Sequence, residues 1–503
     1  MSKSMIVSRS TRAFVAAALA AGLMLPTTAA FADDGAANQY ATTFTMTNVA
    51  DGDTVTAYRI FSTSIDEHNS LVDTMDPGLA LVNLPKEYDT PDEIRAVSDG
   101  KVLADAIAAE VIGSNCAKVV EKAEGGTQAT LTLDPGYYLV VVTSTSGNTR
   151  VYQRHLVDAT PSINDQGVYV AHENQSAETK AENVEMPSKT IVTGSNPDTA
   201  VKDTDMYSVG DTVKFRIAGT IPSYPTDATK ATYAIVDKPD AGLTVGTEPE
   251  NFVVKVKDGE QYTKLNIVTD YTLDLDAQKG TYTVNFTYGF IMEHLGSSVT
   301  VEYEAVVNKI DSASGLIGNN AFAKFNPNPY FDGSSDTDPD RSTDQTYGFS
   351  FKKLCAPDNQ PLAGAEFTIC VKGSTTPVTY IDAEGKLHTD GKVVSDDAGW
   401  VYVNGLKAGT YTVTETKAPS GYQKVDPFEV VLNKDTANGN TDATATITET
   451  NFANAGEKTD PKVGQLPTTG GSGTIALTAG GVLLIVGGSA VALRSVKRNR
   501  KQN

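Results

Sequence analysis

Cysteine is scarce: three residues in a chain of 503 are too few for a disulfide scaffold, so other devices must hold the fold together. Basic residues are also scarce, 41 against 62 acids, for a formal net charge of −21. Eight of the positives lie in the first 32 and last 34 residues, where there is no acid, which leaves residues 33–469 at −29. Nucleic acid or an anionic membrane would be repelled by that middle, so neither is expected as its partner. The five histidines (His68, His155, His172, His294, His388) show no metal-ligand spacing, and no Gly-rich loop follows a strand in a βαβ pattern. No external cofactor is called for, no catalytic constellation emerges, and a cytosolic enzyme is disfavoured.

The two ends read as addresses. Lys3, Arg9 and Arg12 precede and enter an apolar run from Ala13 to Leu25, and Ala30-Phe31-Ala32 places small residues at −3 and −1. This is the pattern of a signal peptide over 1–32, cleaved before Asp33; the run is short for a spanning helix. At the other end Leu466-Pro467-Thr468-Thr469-Gly470 is followed by an uncharged stretch, Thr474–Leu493, and a basic tail, Arg494–Asn503. The stretch is long enough to cross a bilayer, and the tail would stay cytoplasmic. The pentapeptide alone is weak, since Leu25-Pro26-Thr27-Thr28 repeats most of it inside the signal peptide. Pentapeptide, span and tail in that order resemble the cell-wall sorting signal of Gram-positive surface proteins. The resemblance implies that a sortase cleaves between Thr469 and Gly470 and passes the Thr469 carbonyl to an amine.

The middle alternates β-branched and aromatic residues with polar ones over Thr42–Thr47, Thr54–Ile60, Tyr137–Thr143, Thr212–Ala218, Tyr282–Thr287, Thr300–Val307 and Tyr411–Thr416. Such runs, separated by Gly/Asp/Asn/Pro turns, predict a mainly all-β chain of tandem immunoglobulin-like sandwiches. One helical insertion is expected over Asp92–Glu121, with Cys116 in it as a buried apolar residue. Gln175–Ser188 and Asp332–Asp344 read as linkers. The second is rich in aspartate, but counted from Asp336 it has Arg341 at position six, where a calcium loop needs Gly, so a solvated linker is expected rather than a metal site. The cuts fall at 33–180, 181–345 and 346–460, with 461–503 as stalk and sorting signal. Cys355 and Cys370 flank a turn near Asn359–Pro361, and export leaves a disulfide between them open.

The third block carries Phe351-Lys352-Lys353-Leu354, Pro361-Leu362-Ala363-Gly364-Ala365-Glu366-Phe367, Gly409–Pro419 and Gly421-Tyr422, and ends in the stretch Ala445–Asn451. It resembles the Cna-B-type domains of Gram-positive pilins and adhesins, with Tyr411–Pro419 resembling the pilin E-box. The resemblance implies an intramolecular isopeptide between Lys353 and Asn451, with Asn454 nearby, promoted by Glu415. Burial suits that chemistry, because it keeps the amine neutral and the carboxyl protonated. The second block, with Pro187–Val192, Ser208–Val213, Ile235–Pro239 and Gly318–Pro329, resembles the middle domain of major pilins. There the implied trio is Lys189, Asp237 and Asn328, with Asn326 as the alternative acceptor.

The first block, with Gly52–Tyr58 and Asp134–Tyr138, resembles the first domain of such pilins. That domain ends in a Val-x-Val-Tyr-Pro-Lys motif whose Lys accepts the next subunit. Here Val168-Tyr169-Val170 is followed by Ala171-His172-Glu173, so the expected lysine is absent and Lys180 becomes the candidate acceptor. The resemblance implies a sortase-polymerised shaft subunit on the cell wall. Its partners would be class C and housekeeping sortases, identical subunits, accessory pilins and peptidoglycan, with a host glycoprotein or matrix component as a further partner. A peptidoglycan-anchored monomeric adhesin or a pilus tip is the alternative.

Overall fold

The structure is a computed structural model that describes residues 38–144, 149–193, 199–276, 280–311, 314–436 and 452–461. The signal-peptide region, Asn451 and the sorting signal, including Thr474–Leu493, lie outside the described residues. No helix among the described residues is long and apolar enough to cross a membrane.

The alternation predicts strand after strand, and the strands form. In the first region β1 (Thr42–Thr47) and β2 (Thr54–Ile65) bury alternate side chains. β3 (Gly136–Thr143) pairs with β2, antiparallel. The expected single helix is two. α1 (Pro91–Ala96) opens with a capping box from Thr90 and Glu93, and α2 (Gly100–Gly113) is capped by Asp99. The cap side chain satisfies the first free N–H groups of a new helix, so the chain restarts at Asp99. Cys116 lies beyond α2, buried, with its thiol pushed up by burial. The expected linker at Gln175 is instead β4 (Gln175–Glu178), which pairs in parallel with β1 and closes the sheet.

The second region is a sandwich. One sheet contains β5 (Ser188–Val192), β6 (Thr212–Thr220) and a later strand, Ser298–Val307. The facing sheet contains β7 (Tyr233–Pro239) and two late strands, Leu316–Phe325 and Asp340–Gln345. In chain order these three are β8, β9 and β10. The Asp332–Asp344 linker is therefore corrected as well: from Asp340 it is a ladder strand against β9, with Asp340 and Asp344 buried. Phe215, Tyr233, Phe252, Tyr282 and Tyr303 fill the core.

The third region pairs a six-stranded sheet with a four-stranded one. β11 (Tyr347–Cys355), β13 (Trp400–Leu406) and β15 (Phe452–Asp460) belong to the first; β12 (Glu366–Val371) and β14 (Gly409–Lys417) belong to the second. This separates Cys355 from Cys370. Cys355, on β11, stands opposite Gln360 and Asp460, whereas Cys370, on β12, stands opposite Thr412. Both thiols are free. The turn joins β11 to a two-residue strand, not to β12, so the expected hairpin partners lie on different sheets.

Candidate functional site

Strand phase delivers one cluster into the middle sandwich. Lys189 on β5 shares its face with Ile191, and its side chain is wholly buried. Asp237 on β7 faces it from the other sheet. The Lys189 Nζ donates to both Asp237 carboxylate oxygens, each at 2.9 Å, and to the Tyr303 hydroxyl at 2.8 Å. Tyr303, on β8, donates in turn to Asp237 Oδ2. The fourth member is Asn319 on β9, wholly buried. Its Nδ2 donates to the Tyr303 hydroxyl and stands 3.5 Å from Asp237 Oδ2, while its Oδ1 has no hydrogen-bond partner among the described residues.

The Phe215 and Tyr303 rings each stand 4.7 Å from the Lys189 Nζ. Burial pushes the lysine down to about 8, against the opposing pull of Asp237. Burial, and the Asp237 charge after it, hold the Tyr303 phenol well above its ordinary value. A buried ammonium is costly even when paired, so the neutral amine is within reach.

Asn319 is the residue that the sequence reading missed; Asn328 and Asn326 do not reach Lys189. Pro327 and Pro329 cannot donate to a ladder, so the chain leaves the sheet after Phe325. Asn326 Nδ2 donates to the carbonyls of Lys230 and Phe331, at 2.9 and 2.7 Å, and its Oδ1 accepts the Asn328 N–H at 2.9 Å. Asn328 Oδ1 accepts the Ser144 N–H of the first region at 2.8 Å. Tyr330 then buries its ring in the helical core of that region. Its hydroxyl donates to Asp227, which also pairs with Arg154. These asparagines build the joint between the first two regions. The signal for Asn319 was available: Lys324 must face out, which puts Ala321, Ala323 and Phe325, and with them Asn319, on the inner face.

The third region has a matching centre. Lys353 on β11 is wholly buried, and its Nζ donates to Glu415 Oε2 on β14 at 2.9 Å. It also donates to Asp460 Oδ1 at the end of β15. The Val425 N–H donates to the same Glu415 oxygen at 2.7 Å. Glu415 Oε1 and Asp460 Oδ2 are buried without partners among the described residues. Burial raises Asp460 to about 7, with Lys353 opposing and Glu415 adding to the rise. Asp460 had no role in the sequence reading.

Lys180 is exposed between β4 and the next strand. It lines a groove of 850 Å³ with Gln153, His155 and Glu182 from its own region and with Ser223 and Thr226 from the second. The backbone carbonyl of Lys180 accepts the Gln153 N–H at 3.0 Å. Burial, and the Lys180 charge beside it, push His155 down. No group of three or more metal-ligating side chains occurs among the described residues.

This architecture can be compared with known proteins. Residues 348–447 match the family described as a prealbumin-like fold domain, and residues 458–503 match the LPXTG cell wall anchor motif. The class is thus a cell-wall-anchored surface protein with a prealbumin-like domain in its third region. The solved T6 backbone pilin of Streptococcus pyogenes serotype M6, described as having a modular three-domain structure, superposes with a TM-score of 0.55 at 21% identity. That match covers 82% of this chain and 84% of the pilin. The full-length major pilin SpaD of Corynebacterium diphtheriae gives 0.52 at 17% identity, over 84% of this chain and 97% of SpaD. Among curated proteins, the trypsin-resistant surface T6 protein of Streptococcus pyogenes is 27% identical over 50% of this chain and 47% of its own length. Fimbrial subunit type 2 of Actinomyces naeslundii is 25% identical over 59% of each. The matched part spans about half to three-fifths of these curated relatives. The likeness to these solved pilins, at 21% identity or less, establishes the fold, and the matched models establish a prealbumin-like domain followed by a cell wall anchor motif.

Proposed function

We propose that this chain is the repeating subunit of a covalent pilus shaft. A class C sortase cleaves at Thr469 and transfers its acyl group to the Lys180 amine of the next subunit. A housekeeping sortase finally attaches the polymer to peptidoglycan. The observation that carries this reading is the placement of Lys180, an exposed amine at an open groove. It precedes the two sandwiches that separate it in sequence from Leu466–Gly470.

Within each subunit, Lys189 condenses with Asn319. Burial pulls the Lys189 amine down to about 8, so a far larger share of it is neutral near pH 7 than of an ordinary lysine. The neutral Nζ attacks the Asn319 carbonyl carbon, Asp237 takes the amine proton, and Tyr303, which holds the Asn319 Nδ2, passes a proton to that nitrogen, so the C–N bond to it breaks and ammonia leaves. Lys353, promoted by Glu415, makes a second bond in the third region. The fibre so built supports adhesion, and no cofactor enters.

The test is an immunoblot of muramidase-released wall material from the native host. Wild type should give a high-mass ladder that survives boiling in SDS, and Lys180→Ala should collapse it. A ladder that persists moves the acceptor elsewhere. A single band at monomer mass in wild type favours the wall-anchored adhesin, which the Ala171-His172-Glu173 departure would then explain.

A further inference from the structure

We infer that the third region closes on an aspartate: Lys353 forms an amide with Asp460 and expels water, where the family resemblance implies an asparagine and ammonia. The inference rests on the cross-linked-subunit reading but assigns its second bond to a residue that nothing else singles out.

The placement is specific. β15 runs parallel to β11 as its direct neighbour, with Lys353 opposite Lys458 and Cys355 opposite Asp460. In this register the Asp460 side chain lies on the same inner face as Lys353, and it is wholly buried. The backbone is pinned at that point from both sides: the Ala356 N–H donates to the Asp460 carbonyl at 2.8 Å, and the Gln423 N–H donates to the Pro461 carbonyl at 2.8 Å. The carboxyl carbon of Asp460 is thus held against the amine, with Glu415 bonded to the same nitrogen. The Phe367 ring stands 5.5 Å from the Nζ, and Lys458 is the other charged group facing it.

One buried ammonium between two buried carboxyls is an expensive arrangement, because each charge has lost its water. Each carboxyl also keeps one oxygen without a hydrogen-bond partner among the described residues, an arrangement that a buried site rarely tolerates. Condensation removes two of the three charges. The ammonium gives one proton to Glu415 and the neutral Nζ attacks the Asp460 carboxyl carbon, so that a C–N bond forms. Glu415 takes the second amine proton and returns protons to the departing oxygen. The C–O bond breaks and water leaves. Ammonium plus carboxylate become amide plus water, with no net change of charge and no oxidant or further reactant. Fixed geometry supplies the proximity that the same condensation lacks in solution.

Mass spectrometry decides the point. The secreted chain, residues 33–469, should weigh less than its sequence by one ammonia, from Asn319, and one water, from Asp460. The decisive variant is Asp460→Asn. An aspartate and an asparagine at this position yield the same amide, so the matured variant and the matured wild type should have identical masses, and a Lys353–residue 460 linked peptide should be found in both. The inference is overturned if the variant is lighter than wild type by the Asp-to-Asn difference and Asn451→Ala restores one ammonia. A wild type with no deficit would instead sink cross-linking altogether, while the ladder assay judges the shaft reading separately.

Discussion

Replacing Asn319 by alanine removes the acceptor of the middle region and leaves the Lys189–Asp237 pair in place. If Lys189 and Asn319 are joined, the bond closes a loop of ~131 residues, and the chain-entropy relation assigns that loop about 5 kcal/mol of stabilisation through the unfolded state. The change itself costs little else, since Asn319 donates to Tyr303 but its own Oδ1 has no partner among the described residues. For a domain of this size ~1 kcal/mol shifts the midpoint by ~2–4 °C, so a drop of roughly 10–20 °C in the middle-region transition is expected by calorimetry. Intact mass must change in step: the variant should show one ammonia fewer lost than wild type. A transition within a couple of degrees of wild type, or a mass difference explained by the side chain alone, would refute the assignment. So would an unchanged ammonia deficit in Lys189→Ala.

Asn328→Ala should leave the ammonia count untouched. It removes the bond to Ser144 and with it about 1 kcal/mol from the joint of the first two regions, read as faster limited proteolysis between them. Glu415→Ala should block only the Lys353 condensation, so one linked peptide disappears while Lys189–Asn319 persists; loss of both would contradict independent sites. Asp344 is buried, with Oδ1 accepting the Met206 N–H at 3.1 Å and Oδ2 unpartnered among the described residues. Burial, with the Asp205 and Asp211 charges adding to it, raises this carboxyl to about 8. Its folded value lies above its unfolded one, so the native state holds the proton more tightly. The stability it contributes is full below pH ~4 and is lost as pH rises through about 8. Urea midpoints compared at pH 5 and pH 9 should therefore fall less in Asp344→Asn than in wild type, and an equal fall would refute the assignment.

Much of the fold was legible because strand period and burial coincide: Thr42–Thr47 reads as a strand and is one. Lys189, Asp237, Lys353 and Glu415 were legible too, and the structure brings each lysine to its carboxylate. The parts that escaped depend on long-range pairing. That Asp460 lies beside Cys355 follows from a parallel register between strands about a hundred residues apart, which no local pattern encodes. Asn328 misled because its neighbours Pro327 and Pro329 sit at the strand's exit, a place that suits a joint better than a ladder. The helix break at Asp99 was written in the sequence as a cap, masked by apolar residues on either side. The Cys355–Cys370 pairing assumed a hairpin where the chain changes sheets.

The position of Lys180, only a few residues before Lys189, has a mechanical consequence for the fibre proposed above. Force entering at Lys180 and leaving at Thr469 never passes through residues 33–179. With the two internal bonds in place, the taut path is about 180–189, 319–353 and 460–469, ~52 residues in all, or ~180 Å if fully drawn out. Without them the same pull could extend ~290 residues to ~1000 Å. The first region, with its helices, would ride beside the strained line as an unstressed passenger. Besides the chain, it is tied to that line by the Asn328–Ser144 bond, by Tyr330 packed into its helical core, and by the pairing of Ala181–Asn183 with Arg150–Tyr152. Like the parts of the two sandwiches that the internal bonds bypass, it can vary in shape and surface without altering how far the pilus stretches.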